Sequence, residues 1–189
     1  MGKQYWKPGN MLYPVPAIMV SCKREDEKPN IITLAWAGTI SSDPAMLSVS
    51  IRKERYSYDI IKETKEFVVN LVTKDTVYAT DFCGVRSGRD IDKFKATGLT
   101  PFESKYINAP SIQECPVNIE CKVTEIIPLG THDLFLAKVI GVTVEEKYMD
   151  KSGKFCLNET GLVAYSHGEY FELGKKLGKF GYSVRKHKK

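Results

Sequence analysis

Long hydrophobic runs are missing from this chain of 189 residues. No apolar stretch approaches the ~18 residues that a membrane-spanning helix needs, and the first residues do not read as an apolar signal segment. Paired cysteines are missing too. The five cysteines, Cys22, Cys83, Cys115, Cys121 and Cys156, form no C-x-x-C pair and are odd in number, which argues against a disulfide framework and a zinc site. A reducing cytoplasm is the expected location. No G-x-G-x-x-G fingerprint joins a strand to a helix, so a Rossmann dinucleotide fold is excluded. Nor does the body carry surplus charge. The net charge is +5, but residues 175–189 hold seven Lys or Arg and no acid, which leaves 21 bases against 23 acids in residues 1–174. A near-neutral body is not a basic nucleic-acid surface, and the expectation is neither nucleic-acid nor membrane binding. The tail RKHKK, 185–189, reads as a solvated end.

What is present is globular: 42% hydrophobic and 27% charged residues, in a length that favours one domain over 1–189 with its own core. Residues 1–11 read as an arm whose Tyr5 and Trp6 pack on the body. Leu12 to Pro16 is extended because each proline restricts its predecessor. Ala17–Cys22 reads as a strand, followed by a charged turn through Pro29. Ile60, Ile61 and Thr64 follow helical spacing after Ser57, which is a candidate N-cap. Phe67–Val72 reads as a buried strand. Thr73 caps a second helix ending at Cys83-Gly84. Asp90 caps a short third one stopped by Gly98. Val117–Ile127 and Asp133–Tyr148 read as long strands separated by Pro128-Leu129-Gly130. Asp150 to Gly153 signals a turn, Leu162 to Tyr165 is extended, and YFELGKKLGKFG reads as loop. Six or more strands with short helices between them predict a mainly β fold, a closed or nearly closed antiparallel barrel.

The rest of the chain is organised around Asn30–Asp59. Ile31 to Trp36 suits a strand; Ala37, Gly38, Thr39, Ser41 and Ser42 are small; Asp43-Pro44 marks a turn. From Met46 to Arg52 the residues alternate, with Leu47, Val49 and Ile51 on one face and Ser48, Ser50 and Arg52 on the other. Arg52, Lys53, Arg55, Tyr56 and Ser57 end that stretch. A flat ring fits against exposed backbone near Thr33–Gly38, and a phosphate fits the cations and the Ser57 hydroxyl. An ordinary hairpin with a solvated basic end satisfies the same pattern.

The stretch TLAWAGTISSDPAMLSVSIRKERYSYD resembles the signature of the flavin reductase-like, FMN-binding split-barrel family, and within it the flavoredoxin-type members. CGVRSGRDIDKF (83–94), GTHDLFLAKV (130–139) and YFELGKKLGKFGYSV (170–184) match in the same order, so the resemblance runs from about Leu12 to Val184. It implies a Greek-key split barrel with helices over its openings, FMN as cofactor, NAD(P)H as a possible co-substrate, and a homodimer with the flavin site at the two-fold interface.

The same resemblance places the flavin ring along Thr33, Leu34, Ala35 and Trp36, and the phosphate on the strand-to-helix corner. There Arg52, on the Ser50 face, is the first choice, with Lys53 and Ser57 beside it. It lays the loop holding Ser87 over the cofactor and lets Lys93 reach the phosphate. It puts His132 by the flavin face where a nicotinamide binds. Two readings follow: an NAD(P)H:flavin reductase, or a flavoredoxin that passes electrons to a partner protein. The rival is a non-enzymatic barrel using its basic tail for nucleic acid.

Overall fold

The computed structural model describes residues 2–184, so the basic tail at 185–189 lies outside the described residues. In chain order the elements are β1 (Val15–Pro16), β2 (Ile18–Cys22), β3 (Asn30–Leu34), β4 (Ala37–Ser42), β5 (Ala45–Arg52), α1 (Tyr56–Thr64), β6 (Glu66–Leu71) and α2 (Val77–Val85). There follow α3 (Lys93–Thr97), β7 (Pro101–Phe102), β8 (Ser111–Ile112), β9 (Val117–Leu129), β10 (His132–Val144), β11 (Val163–Ser166) and β12 (Glu169–Glu172). Seven strands form one antiparallel sheet in the order β3-β2-β6-β9-β10-β5-β4.

The sheet curls because its two ends are consecutive in the chain. After β3 the backbone turns at Ala35 and Trp36, and the Ser50 N–H of β5 donates to the Trp36 carbonyl at 2.9 Å. The inward residues of six strands then share one core: Val20, Ile32, Val49, Ile51, Phe67, Val69, Cys121 and Phe135, closed at one end by Tyr58, Ile60 and Ile61 of α1. Phe67 and Phe135 are fully buried, each worth about 1.5–3 kcal/mol over leaving it exposed. Strand β2 is buried on both faces. Its outer face, with Met19, meets Ile31, Ala79, Cys83 and Phe94 in a second core under α2 and α3, which is why Ile18, Met19 and Val20 are apolar in succession rather than alternating.

The mainly β expectation and the alternation of β5 agree with this fold. Several local readings are corrected. The strand read over Ile31 to Trp36 stops at Leu34, and a separate strand, Ala37–Ser42, follows and pairs with β5 across the Asp43-Pro44 turn. Pro128 does not end β9, which continues to Leu129. Beyond Lys122 the other edge of β9 has no sheet neighbour among the described residues, so a proline costs no ladder bond there. Ser57 is not the N-cap of α1; Arg55 is, with extended φ/ψ of −72°/136° and no side-chain cap bond. Asp92, rather than Asp90, caps α3, accepting from the Lys95 N–H at 3.2 Å. Glu169–Glu172 pairs with β11 instead of looping. Its turn, His167-Gly168, has φ of 49° and 89°, positive at both central positions as two-residue hairpins demand. Tyr5 and Trp6 do not pack on the body: they are 106% and 76% exposed.

Candidate functional site: a slot and a cation cavity along one trough

The end of β3, the end of β5 and the start of β10 meet at one rim of the barrel. Residues Thr33, Leu34, Ala35 and Trp36 follow the turn out of β3, and Ser50 and Arg52 stand on the outward face of β5. His132 faces Arg52 directly across the β5–β10 ladder. These residues line a narrow slot of about 130 Å³. The indole of Trp36 and the ring of His132 close one side, their centroids 4.6 Å apart and tilted by 47°. The small Ala35 leaves backbone accessible, as a flat ligand lying against the chain requires. The imidazole Nδ1 of His132 lies 2.9 Å from the Thr131 hydroxyl. Partial burial and then the Arg52 guanidinium hold the His132 pKa below its usual value. The ring is therefore neutral at pH 7, a hydrogen-bonding group rather than a cation.

Ile32 and Arg55 also line a second cavity of about 240 Å³. Four cations, Arg55, Arg86, Arg89 and Lys93, face it with one carboxylate, Glu54. The N-terminus of α1 opens into it at Tyr56 and Ser57. Because the cap makes no side-chain bond, the Tyr56 and Ser57 N–H groups and the positive end of the helix dipole are available to an anion, whereas the Tyr58 N–H already donates to the Arg55 carbonyl. Ser57 is buried and its Oγ accepts from Asn30 Nδ2 at 2.7 Å, leaving its own O–H to donate. Ser87 sits on the loop between α2 and α3, its Oγ accepting from the Arg89 N–H at 3.2 Å.

Lys93 forms the cavity's floor. Its Nζ donates to the Ile31 and Cys83 carbonyls at 2.6 and 2.7 Å, with 3% exposure. Burial pushes its pKa down to about 8, against the opposing pull of the Cys83 thiol. Burial also pushes the Cys83 thiol up to about 11, so it stays a thiol and not a nucleophile. Among the described residues, no group of three metal-ligating side chains occurs.

The trough thus brings together Thr33, Leu34, Ala35, Trp36, Ser50, Arg52 and His132 in the slot, and Ser57, Ser87 and Lys93 in the cation cavity. Arg52 lies at the slot rather than at the cation cavity, its Nη1 3.4 Å from Glu54. Lys53 lines neither. Its ammonium turns to the opposite side of the corner, 3.3 Å from the buried carboxylate of Asp133, which also accepts from the Tyr58 hydroxyl at 2.6 Å. Sequence reasoning underweighted Arg55, whose Nη1 donates to the Gly84 carbonyl at 3.2 Å, and missed Asn30 and Arg86. Asn30 had a signal, a polar residue opening an apolar strand; its contact lies 27 positions away and only the fold reveals it.

Residues 10–174 match the model of the flavin reductase like domain, and the chain belongs to that family. An uncharacterized protein of Archaeoglobus fulgidus is 34% identical over 160 residues, covering 85% of this chain and 88% of the relative. The flavoredoxin of Desulfovibrio vulgaris (Miyazaki F) superposes with a TM-score of 0.90 at 31% identity, over 97% of this chain and all of that one. The flavoredoxin from Methanosarcina acetivorans does so with a TM-score of 0.87 at 28% identity, over 98% and 100% of the two chains. The fold is the split barrel of flavin reductases.

Proposed function

We propose that the chain is an FMN-binding flavoprotein oxidoreductase, with the flavin ring in the slot and the phosphate in the cation cavity. The observation that carries the reading is the joining of the two cavities through Ile32 and Arg55, a slot walled by Trp36 and His132 beside an anion pocket. FMN supplies the redox chemistry when bound; the protein supplies binding, orientation and electrostatics. Arg55, Ser57 and the α1 N-terminus hold the phosphate. Backbone from Thr33 to Trp36 supports the ring. The flavoredoxins matched over their whole length favour the flavoredoxin-type reading.

NAD(P)H is the proposed reductant, and neutral His132 at the slot's edge is the side chain that positions it. A homodimer is proposed as the working unit. Leu12, Leu177 and Phe180, exposed at 89%, 94% and 107%, sit on two arms that find no cover among the described residues. The test is the absorption spectrum of the purified protein before and after NADH. A yellow protein bleached by NADH supports the reading; a colourless one that takes up no FMN overturns it. Bleaching in His132→Ala as fast as in the parent at every NADH concentration removes His132 from the reductant's site.

A further inference from the structure

Two side-chain bonds hold the start of α1, one to each of two strands. To β3, the Ser57 Oγ accepts from Asn30 Nδ2 at 2.7 Å. To β10, the Tyr58 hydroxyl donates to Asp133 Oδ2 at 2.6 Å. Both ends of the second bond are buried, Tyr58 at 6% and Asp133 at 4% exposure, so water does not replace it when it is broken. The Tyr58 ring is fixed as well, meeting Phe135 edge-on with the centroids 5.5 Å apart.

The backbone carries that hold into the cation cavity. The Tyr58 N–H donates to the Arg55 carbonyl at 2.9 Å, which closes residues 55–58 into one turn. Arg55, Tyr56 and Ser57 face the cavity from this turn, and Tyr58 anchors it on the barrel. Arg55 makes no side-chain cap bond that would fix the turn by itself. A binding constellation tolerates only about 0.5 Å of misplacement, so what holds Tyr58 sets how well the turn's donors converge.

A carboxylate in this role brings a negative charge toward an anion site. Lys53 offsets it. Asp133 Oδ1 makes no hydrogen bond among the described residues and meets the Lys53 ammonium at 3.3 Å, so the anchor is neutral as a pair. The Tyr58 hydroxyl, and then Lys53, hold the Asp133 carboxyl below its usual range, and Asp133 pushes the Tyr58 hydroxyl up to about 12. At neutral pH the acceptor is charged and the donor keeps its proton.

We propose that Asp133 is a positioning residue for the phosphate. Through the Tyr58 hydroxyl it holds the 55–58 turn where Arg55, Ser57 and the free N–H groups converge on one anion. Asp133 itself lines neither cavity. The inference rests on the flavin reading above.

The experiment is calorimetric titration of the flavin-free protein with FMN and riboflavin, on the parent and on Asp133→Ala, Asp133→Asn, Tyr58→Phe and Glu120→Ala. Glu120 is the control: a second buried carboxylate, 1% exposed, which accepts from the Lys105 and Tyr106 N–H groups and lines neither cavity. Asp133→Ala and Tyr58→Phe each weaken FMN about tenfold, the scale of one lost hydrogen bond to a charged group, and leave riboflavin within about twofold. Asp133→Asn keeps an acceptor for Tyr58 and restores FMN binding. Glu120→Ala leaves the ratio of the two affinities unchanged. Riboflavin and FMN lost by the same factor in Asp133→Ala make Asp133 a plain fold residue and overturn the proposal. FMN affinity indifferent to Asp133→Ala and Tyr58→Phe, an Asp133→Asn variant as weak as Asp133→Ala, or an FMN-selective loss in Glu120→Ala also overturns it. Each of these leaves the flavin reading standing, whereas a parent that binds neither flavin overturns both.

Discussion

Lys53 and Arg55 stand two positions apart on one strand-to-helix corner and face opposite ways. At Lys53 a buried acid decides. Asp133 sits behind β5, 4% exposed, and accepts from Tyr58; a carboxylate in that position draws the nearest ammonium. Arg55, as the cap of α1, is left to face the cavity. The two arginines then have separable roles. Arg55→Ala is expected to weaken FMN by about 1.5–3 kcal/mol, the range for hydrogen bonds to charged groups, and to leave riboflavin unaffected. Arg52→Ala, at the slot, is expected to weaken FMN and riboflavin equally. Titrating both ligands into both variants checks this; a phosphate-selective loss at Arg52 would reverse the assignment.

Lys93 gives the site a pH dependence with a defined sign. Free lysine titrates near ~10.4, whereas burial brings Lys93 to about 8 with Cys22, Cys83 and Arg55 as its charged or titratable neighbours. Both thiols titrate well above it, so Lys93 changes charge first as pH rises. Neutral or charged, its amine keeps enough N–H groups for the two carbonyls, so the floor stays built. An anion in the cavity favours the charged form. Lys93 is therefore expected to make FMN affinity fall as pH rises through about 8, while riboflavin affinity does not. In the ligand-free protein the sign is opposite for stability. Between about 8 and ~10.4 the unfolded chain binds the proton that the folded one has lost, so this residue's contribution to stability rises with pH. Comparing Lys93→Met with the parent in urea unfolding at pH 7 and 9.5 isolates it: a parent that gains no more than the variant refutes the assignment.

At the scale of elements, the loop between α2 and α3 carries most of the site's fragility. Its glycine lets Asn30 reach across to Ser57, and the Asn30–Ser57 bond ties β3 to the first turn of α1. Gly88→Ala pushes a methyl group into Asn30 and Tyr56. The expected result is a loss of about 1–3 kcal/mol of stability, the cost of a buried polar group left without its partner, together with weakened FMN binding. Chemical denaturation and flavin titration measure the two effects, and unchanged values would mean that the loop yields freely. Elements were legible in the sequence where one physical signal dominates. The alternation of Leu47, Val49 and Ile51 identified β5, and its polar face identified Ser50 and Arg52. Boundaries set by long-range pairing were not legible. Nothing local distinguishes Ala37–Ser42 from a small-residue loop; it is a strand because β5 folds back onto it. The Ser57 cap was misread for a related reason, since the hydroxyl that fits a cap is engaged by Asn30 instead. Arg55 was underweighted because strand alternation stops at Arg52 and says nothing of a helix cap.

At the scale of the whole molecule, the barrel satisfies itself and the two arms do not. The body's core is closed around Phe67 and Phe135, whereas Tyr5, Trp6, Leu12, Leu177 and Phe180 stand in solvent. Apolar surface is worth roughly 25 cal/mol for each Å² removed from water, so side chains of this size gathered on two arms favour a partner surface. The arms also bear on the site: Met11, Leu12 and Tyr13 share a cavity of about 550 Å³ with Ala35 and Trp36, on the side of the slot away from the cations. In the proposed dimer, a second copy packed on the arms would cover the proposed ring slot as well as the arms. Sedimentation is expected to give a dimer at micromolar concentration. Deleting residues 2–11 is expected to shift it toward monomer and to weaken riboflavin and FMN by the same factor, because the arm acts at the ring and not at the phosphate. A monomeric parent with full flavin affinity refutes the dimer. A deletion that remains dimeric and binds both flavins normally removes residues 2–11 from the interface and from the site.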